Sequence, residues 1–273
     1  MIRIDLHVHS TFSDGTCSVD ELARLAARRG IALIALTDHD TTQGAGAFSA
    51  ACAKRSVRSV TGVELSAKSE RTIHILGYRM LNMRPLERAL ERIIGCRNER
   101  NREICAKLRG MGLDITMEDV EREAGGRVIA RPHFACAMIR KGYVRDQSAA
   151  FARYIGKGAP AYVGREGYSP PDCVRIIKEA GGLPVLAHPS LTGLEGDGFD
   201  RLLCELKEAG LWGLECLSPH ARGEDALAYL RAADNHGLFP TAGSDFHGAA
   251  RPGADLGVQV PEDFLPWARL GVQ

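Results

Sequence analysis

His7, His9, Asp38, His39, Glu64, His74, His188, Asp245 and His247 are imidazoles and carboxylates that fall at or beside the expected ends of strands. Gathered at one place, such groups hold divalent metal ions, and a metal centre of that kind ionises water near neutral pH and does hydrolytic chemistry. The opening run Ile2-Arg3-Ile4-Asp5-Leu6-His7-Val8-His9 shows the pattern: apolar side chains at 2, 4, 6 and 8 alternate with Asp5, His7 and His9, which a period of two turns to one face. Asp14-Gly15-Thr16 follows in a turn, and Ile31 to Leu36 runs into Thr37-Asp38-His39-Asp40. Any one of these, such as His74 between Ile73 and Ile75, reads equally as a hydrogen-bonded core histidine. The set does not, because each buried ionisable tip would need its own partner.

The elements that must position these groups alternate between strand and helix. Helical stretches at 18–29 and 44–55 separate strands at 2–8, 31–36 and 57–63, and a short strand covers 72–78. Ser18 and Glu21 make a capping box for the first helix. Alternation resumes with helices over 171–180, 199–209 and 225–236 and strands over 183–187, 212–217 and 240–243. That order predicts a parallel α/β architecture, open or closed, with the functional groups at the carboxyl ends of its strands. Residues 81–165 read instead as consecutive helices, a helical insertion in an α/β domain made of 1–80 and 166–273. The first of these helices, about Pro85 to Leu108, lies in a run that carries eight Arg or Lys against four Glu between Arg84 and Arg109. Such a run is either a solvated face or a basic lid.

A chain of 273 residues with 45% hydrophobic content can bury a large core. No apolar run is long enough to span a bilayer and the amino-terminal strand lacks a signal peptide's apolar core, so the expected location is the cytoplasm. The 8 cysteines are scattered singly, without a CxxC pair, as reduced thiols would be. A net charge of +1 excludes general electrostatic attraction to nucleic acid, and no stable duplex binding is expected.

His7-Val8-His9, Asp14-Gly15-Thr16, Thr37-Asp38-His39-Asp40, Gly62-Val63-Glu64, Ala187-His188-Pro189 and Gly243-Ser244-Asp245-Phe246-His247 resemble, in order, the successive motifs of the PHP (polymerase and histidinol phosphatase) superfamily. The resemblance implies a distorted seven-stranded (β/α) barrel holding two or three divalent ions, Mn²⁺, Fe²⁺ or Zn²⁺. By motif, His7, His9, Glu64 and Asp245 would hold one metal, Asp14, His39 and His247 a second, and His74 and His188 a third, with Glu64 bridging. Aspartate at 14 shifts the preference toward the harder Mn²⁺ or Fe²⁺. Arg131-Pro132-His133-Phe134-Ala135, with Gly156-Lys157-Gly158, is similar to PHP phosphoesterases acting on nucleoside 3′,5′-bisphosphates and short oligonucleotide ends. One departure is Ser190-Leu191-Thr192 after His188-Pro189, where close relatives carry a basic residue.

The activity implied is hydrolysis of a phosphate monoester by metal-activated hydroxide, on a nucleotide such as a nucleoside 3′,5′-bisphosphate. Asp38, Arg131 and His133 are the catalytic candidates, Asp38 by orienting His39. Arg131 and His133, with Lys157, Arg165 and His220, are the candidates for substrate contact. Arg131-Pro132 also reads as a helix start with a capping interaction, and His220 as an exposed loop histidine. Rival readings are a histidinol-phosphate-type phosphatase, a 5′–3′ exonuclease on short RNA, and a metal-stabilised scaffold module. An amidohydrolase ranks last, because the expected bridging group is Glu64 and not a lysine.

Overall fold

The computed structural model describes residues 1–273 except 125, 127, 165, 222, 252, 265–267, 272 and 273. In chain order the elements are β1 (Ile2–Val8), α1 (Val19–Arg28), β2 (Ile31–Leu36), α2 (Ala45–Ala53), β3 (Arg58–Ser66) and β4 (His74–Tyr78). Then come the helices α3 (Met83–Gly110), α4 (Met117–Glu121), α5 (Arg131–Arg140), α6 (Gln147–Ala150) and α7 (Pro170–Glu179). The chain ends with β5 (Leu183–Leu186), α8 (Gly196–Glu208), β6 (Gly213–Leu217), α9 (Glu224–Asn235), β7 (Phe239–Ala242) and β8 (Val258–Val260). Local chemistry starts α1 where expected: Ser18 Oγ accepts from Glu21 N at 3.3 Å, and the Glu21 carboxylate accepts from Ser18 N at 2.8 Å.

One sheet of 8 strands, in the order β7-β6-β5-β4-β3-β2-β1-β8, wraps most of the way round. Where the resemblance implied seven strands, β8 is an additional one, lying antiparallel to β1. Past β7 the chain meets β1 again through a parallel bridge between Val8 and Phe246, with His9 N donating to Phe246 O at 2.9 Å. Ile4 and Leu6 join Leu33, Val60, Leu76, Val185 and Ala242 in an apolar cluster that fills the inside of this near-barrel. Helices cover its outside.

Two local departures from the expected pattern matter for the site. The sheet is not wholly parallel, because β4 is antiparallel to both β3 and β5. His74 therefore begins its strand yet lies beside Ser66 at the end of β3 and Ala187 just past β5. Alternation along β1 also fails: the register shifts between Asp5 and Val8, and Val8 belongs to a different apolar cluster from Ile4 and Leu6. A bulge of this kind re-aims side chains. Asp5 is spent on backbone and on the Ser244 hydroxyl, accepting from His7 N at 3.2 Å, Ser244 N at 2.9 Å and Gly257 N at 2.7 Å, while His7 and His9 turn to the other carboxylates.

The helices between β4 and β5 pack in two ways. The first half of α3 places Leu86, Leu90 and Ile93 against α7 and the barrel wall. Its second half, Ile104, Cys105 and Leu108, joins a cluster drawn only from residues up to Val163.

β7 approaches β1 so closely that a Cβ built at Gly243 would lie 2.3 Å from His7 Cβ and 2.7 Å from Glu215 Oε1. Gly243→Ala is expected to destabilise the fold by about 1–3 kcal/mol, as overpacked sites do. Urea unfolding in the presence of chelator checks this. Ser18→Ala should lose about 1 kcal/mol through its cap alone.

Candidate metal centre

Glu64 is the middle of the site. It is fully buried near the end of β3, with five imidazoles around its two oxygens. Oε2 lies 3.2 Å from His7 Nε2, 3.1 Å from His9 Nε2 and 2.9 Å from His39 Nδ1. Oε1 lies 2.7 Å from His74 Nδ1 and 3.0 Å from His188 Nε2. Asp245 Oδ1 stands 3.4 Å from His7 Nε2 and 3.3 Å from His9 Nε2. Asp14 Oδ1 is 3.3 Å from His247 Nε2, and its Oδ2 is 3.9 Å from His39 Nε2.

The ligand atoms fall into three groups, the atoms of each lying within 4.8 Å of one another: His7, His9, Glu64 and Asp245; His9, Asp14, His39 and His247; and His39, Glu64 and His74. The first is the set expected for one metal, and the second is the expected set with His9 added. In the third, His39 and Glu64 accompany His74, while His188 touches the group through Glu64 and lies 3.1 Å from His74 Nδ1.

Three of these imidazoles have the nitrogen remote from the centre tied down. His7 Nδ1 meets Glu215 Oε1 at 3.0 Å, and His247 Nδ1 meets the Asp245 carbonyl at 2.7 Å. His9 Nδ1 is 3.5 Å from Ser13 Oγ, whose own proton goes to Asp38 Oδ1 at 2.6 Å. Each partner accepts, so each Nδ1 carries the proton and each Nε2 presents its lone pair to the centre. Among the described residues, the buried Nε2 atoms of His7, His9 and His247, with Asp14 Oδ1, His39 Nδ1, Glu64 Oε2 and His188 Nδ1, have no hydrogen-bond partner. Lone pairs that converge while avoiding one another's hydrogen-bonding directions suit divalent cations, and the donor set of imidazoles and carboxylates fits that purpose.

The electrostatics agree. Burial alone would raise the Glu64 carboxyl, but His39, His7 and His74 hold it well below the usual range. Burial would likewise lower His9, yet Asp245 and Glu64 raise it to about 9. For His247, burial and the neighbouring His9 prevail over Asp14 and push it down. The centre as a whole draws positive charge.

Asp38 lies in a hydrogen-bonded shell, taking Ser10 N at 2.7 Å, Ser10 Oγ at 2.6 Å and Ser13 Oγ. It orients through the Ser13 hydroxyl toward His9, whereas the sequence pointed to its neighbour His39. Arg131 begins α5, with its Cζ 5.4 Å from the Tyr162 ring centre and 5.8 Å from that of Phe151. Burial lowers its pKa, and Arg97 adds to the lowering. His133 has the capping geometry, its Nδ1 accepting from Ala130 N at 3.1 Å. Burial lowers its pKa, against a pull upward from Asp14. Lys157 Nζ donates to Glu70 O at 2.7 Å. His220 is an exposed loop histidine, and its Nε2 also lies 3.5 Å from Asp245 Oδ2. Arg165 lies outside the described residues.

Residues not singled out from sequence complete the surroundings. Glu215 holds His7 and also accepts from His188 N at 2.6 Å. The one signal for it was an acid inside the apolar run Gly213-Leu214-Glu215-Cys216-Leu217. Arg251 pairs with Asp245 Oδ2. Arg71 Nη1 donates to Thr192 O and Gly193 O, each at 3.1 Å, bringing a cation to the loop after His188-Pro189. A cleft is lined by Arg71, Thr72, Arg100, Arg131, Lys157 and Tyr162 among others, Thr72 lying two residues before His74.

The profile of the PHP domain matches residues 5–124. A 3′,5′-nucleoside bisphosphate phosphatase from Chromobacterium violaceum is 36% identical over 272 residues, covering 98% of this chain and 95% of that protein. A 5′-3′ exoribonuclease from Haemophilus influenzae is 33% identical, covering 90% of each chain. Among solved structures, one from Bifidobacterium adolescentis assigned as a metal-dependent phosphoesterase superposes with a TM-score of 0.85 at 29% identity, over 95% of this chain and 92% of that one.

With His9 raised to about 9, a cation that takes its Nε2 below that pH must compete with a proton. The Mn²⁺ concentration for half-saturation is expected to rise about tenfold for each proton displaced per unit fall in pH below about 9. Titration calorimetry at several pH values reads it. Glu215→Gln, which leaves His7 without its charged anchor, should weaken Mn²⁺ binding about ten- to hundredfold.

Proposed function

This chain belongs to the PHP-domain family and is a metal-dependent phosphoesterase, and we propose that it removes a phosphate from a nucleotide such as a nucleoside 3′,5′-bisphosphate. The observation that carries the substrate reading is the cationic cleft whose wall includes Thr72, just before His74, and Arg71, which also meets the loop after His188-Pro189. Arg71, Arg131 and Lys157 line it and, among the described residues, form no ion pair with a carboxylate; their hydrogen bonds go to backbone carbonyls. Cations without counter-ions suit a ligand that brings its own negative charge, and a guanidinium fork matches phosphate oxygens. The similarity to the Chromobacterium violaceum phosphatase over nearly the full chain supports the same reading.

In this proposal His7, His9, Asp14, His39, Glu64, His74, His188, Asp245 and His247 would hold two or three ions, Mn²⁺ or Fe²⁺ in preference to Zn²⁺. Bound there, they supply the Lewis acidity that ionises water at neutral pH and offsets charge on the phosphoryl oxygens. The protein's own groups do the rest. Glu64 would serve both groups of ligands that it belongs to, Glu215 and the Asp38–Ser13 pair hold His7 and His9 in the tautomers that aim Nε2 inward, and the helical segment between β4 and α7 would form a lid over the mouth. Arg131 offsets the charge that builds on the phosphate as its ester bond breaks. His133 stays neutral and fixes the start of α5, which sets the height of Arg131.

Phosphate release from adenosine 3′,5′-bisphosphate with Mn²⁺ is expected, and Arg131→Ala should raise KM and lower kcat/KM by about tenfold or more, the weight of one charged hydrogen bond. Histidinol phosphate and a short 5′-phosphorylated RNA are assayed beside it. Turnover of either in preference to the bisphosphate would replace this substrate. Silence on all of them with metal bound would favour a non-catalytic module.

A further inference from the structure

The basic run on α3 is not merely a solvated face. Arg97 is 4% exposed and Arg100 6%, and both lie on the stretch of helix between the apolar cluster that packs on the barrel and the one that belongs to the helical segment. Arg97 reaches the turn that follows β2. Its Nε donates to Asp40 Oδ2 at 2.7 Å, its Nη2 pairs with the same oxygen, and Nη2 also donates to Ser66 Oγ at 2.9 Å.

Asp40 is the residue after His39, and it holds a left-handed backbone at φ 51°, an unfavourable conformation for a non-glycine residue that persists only where surroundings enforce it. Its N–H donates to Glu64 O at 2.9 Å, and its Oδ1 accepts from Ser66 N at 2.8 Å. Glu64 N in turn donates to Asp38 O at 3.2 Å. Asp40 thus bolts the end of β2 to the end of β3 on either side of His39 and Glu64, and Arg97 neutralises the bolt from a different part of the fold. A buried ion pair adds little stability over an apolar pair, but it fixes one geometry, since either charge left alone is strongly disfavoured.

We propose that Arg97 is a positioning residue: through Asp40 it fixes the turn that presents His39 and Glu64, so that loading of the metal centre depends on α3 being docked. This rests on reading the cluster as a metal centre, not on the identity of the substrate. Arg97 and Arg100 then do different work three residues apart on one helix, Arg97 on the metal ligands and Arg100 on the cleft.

The test is equilibrium Mn²⁺ binding, read by the electron paramagnetic resonance of free Mn²⁺ without substrate, beside thermal unfolding and steady-state kinetics. Arg97→Met is expected to weaken Mn²⁺ binding about ten- to hundredfold and to lower kcat at saturating substrate while KM stays within about twofold. Arg97→Lys should recover part of both. If Arg97→Met does not fold, the double variant Arg97→Met/Asp40→Asn removes both charges, keeps an acceptor for Ser66 N, and should still bind Mn²⁺ more weakly than wild type. A variant that melts earlier but binds Mn²⁺ as tightly as wild type, with kcat unchanged, would reduce the pair to an attachment of α3 and overturn the proposal. A wild-type chain that takes up no Mn²⁺ would overturn the metal reading itself. Failure on adenosine 3′,5′-bisphosphate alone leaves the binding result to decide.

Discussion

A carboxylate with no exposure to water, surrounded by imidazoles, sets the terms for everything around it. Glu64 contacts His7, His9 and His39 with one oxygen and His74 and His188 with the other. Burying a charge is costly unless opposite charge converges on it. The barrel provides that convergence: strand ends from β1, β2, β3 and β5 and the reversed start of β4 meet at one mouth, with Asp245 and His247 arriving beyond β7. No single element could deliver five imidazoles to two oxygen atoms, so closing the sheet and assembling the centre are one event.

Holding lone pairs together without letting them spend themselves on one another requires a second ring of groups. Glu215, the Asp245 carbonyl and the Asp38–Ser13 pair take the outer nitrogens of His7, His247 and His9. Backbone strain gathers at the same place: Asp40, His188 and Asp245 all have positive φ, at 51°, 26° and 53°. Such conformations endure where the surroundings over-determine them and cluster at functional sites. Strand ends that had to stop short and turn a ligand inward account for all three positions.

The helical segment contributes cations close to a centre built from carboxylates and imidazoles. Arg131 and His133 both lose basicity to burial, and Arg97 adds to the effect on each. A phosphate ester brings the missing negative charge and would be drawn between the two. Arg97 and Arg100 alone of the basic run on α3 are buried, so the cations that count here are local, in a chain of net charge +1 that lacks the overall basic excess that holds nucleic acid.

Much of this was legible in the residues. The Ser18–Glu21 capping box, the positions of strands and helices, and the ligand-type residues at strand ends follow from local periodicity and side-chain chemistry, which need only neighbours in sequence. The PHP resemblance, carried by motifs in order, likewise survives without coordinates, and the chain's membership of that family bears it out. Three features were beyond reach for a common reason. The reversal of β4, the bulge that separates Asp5 from His7, and the burial of Arg97 and Arg100 each depend on which strand or turn lies opposite. An apolar strand reads the same in either direction, and a helical charge run reads the same against water or against Asp40. Contacts such as Glu215 with His7, 208 residues apart, exist only once the barrel has closed.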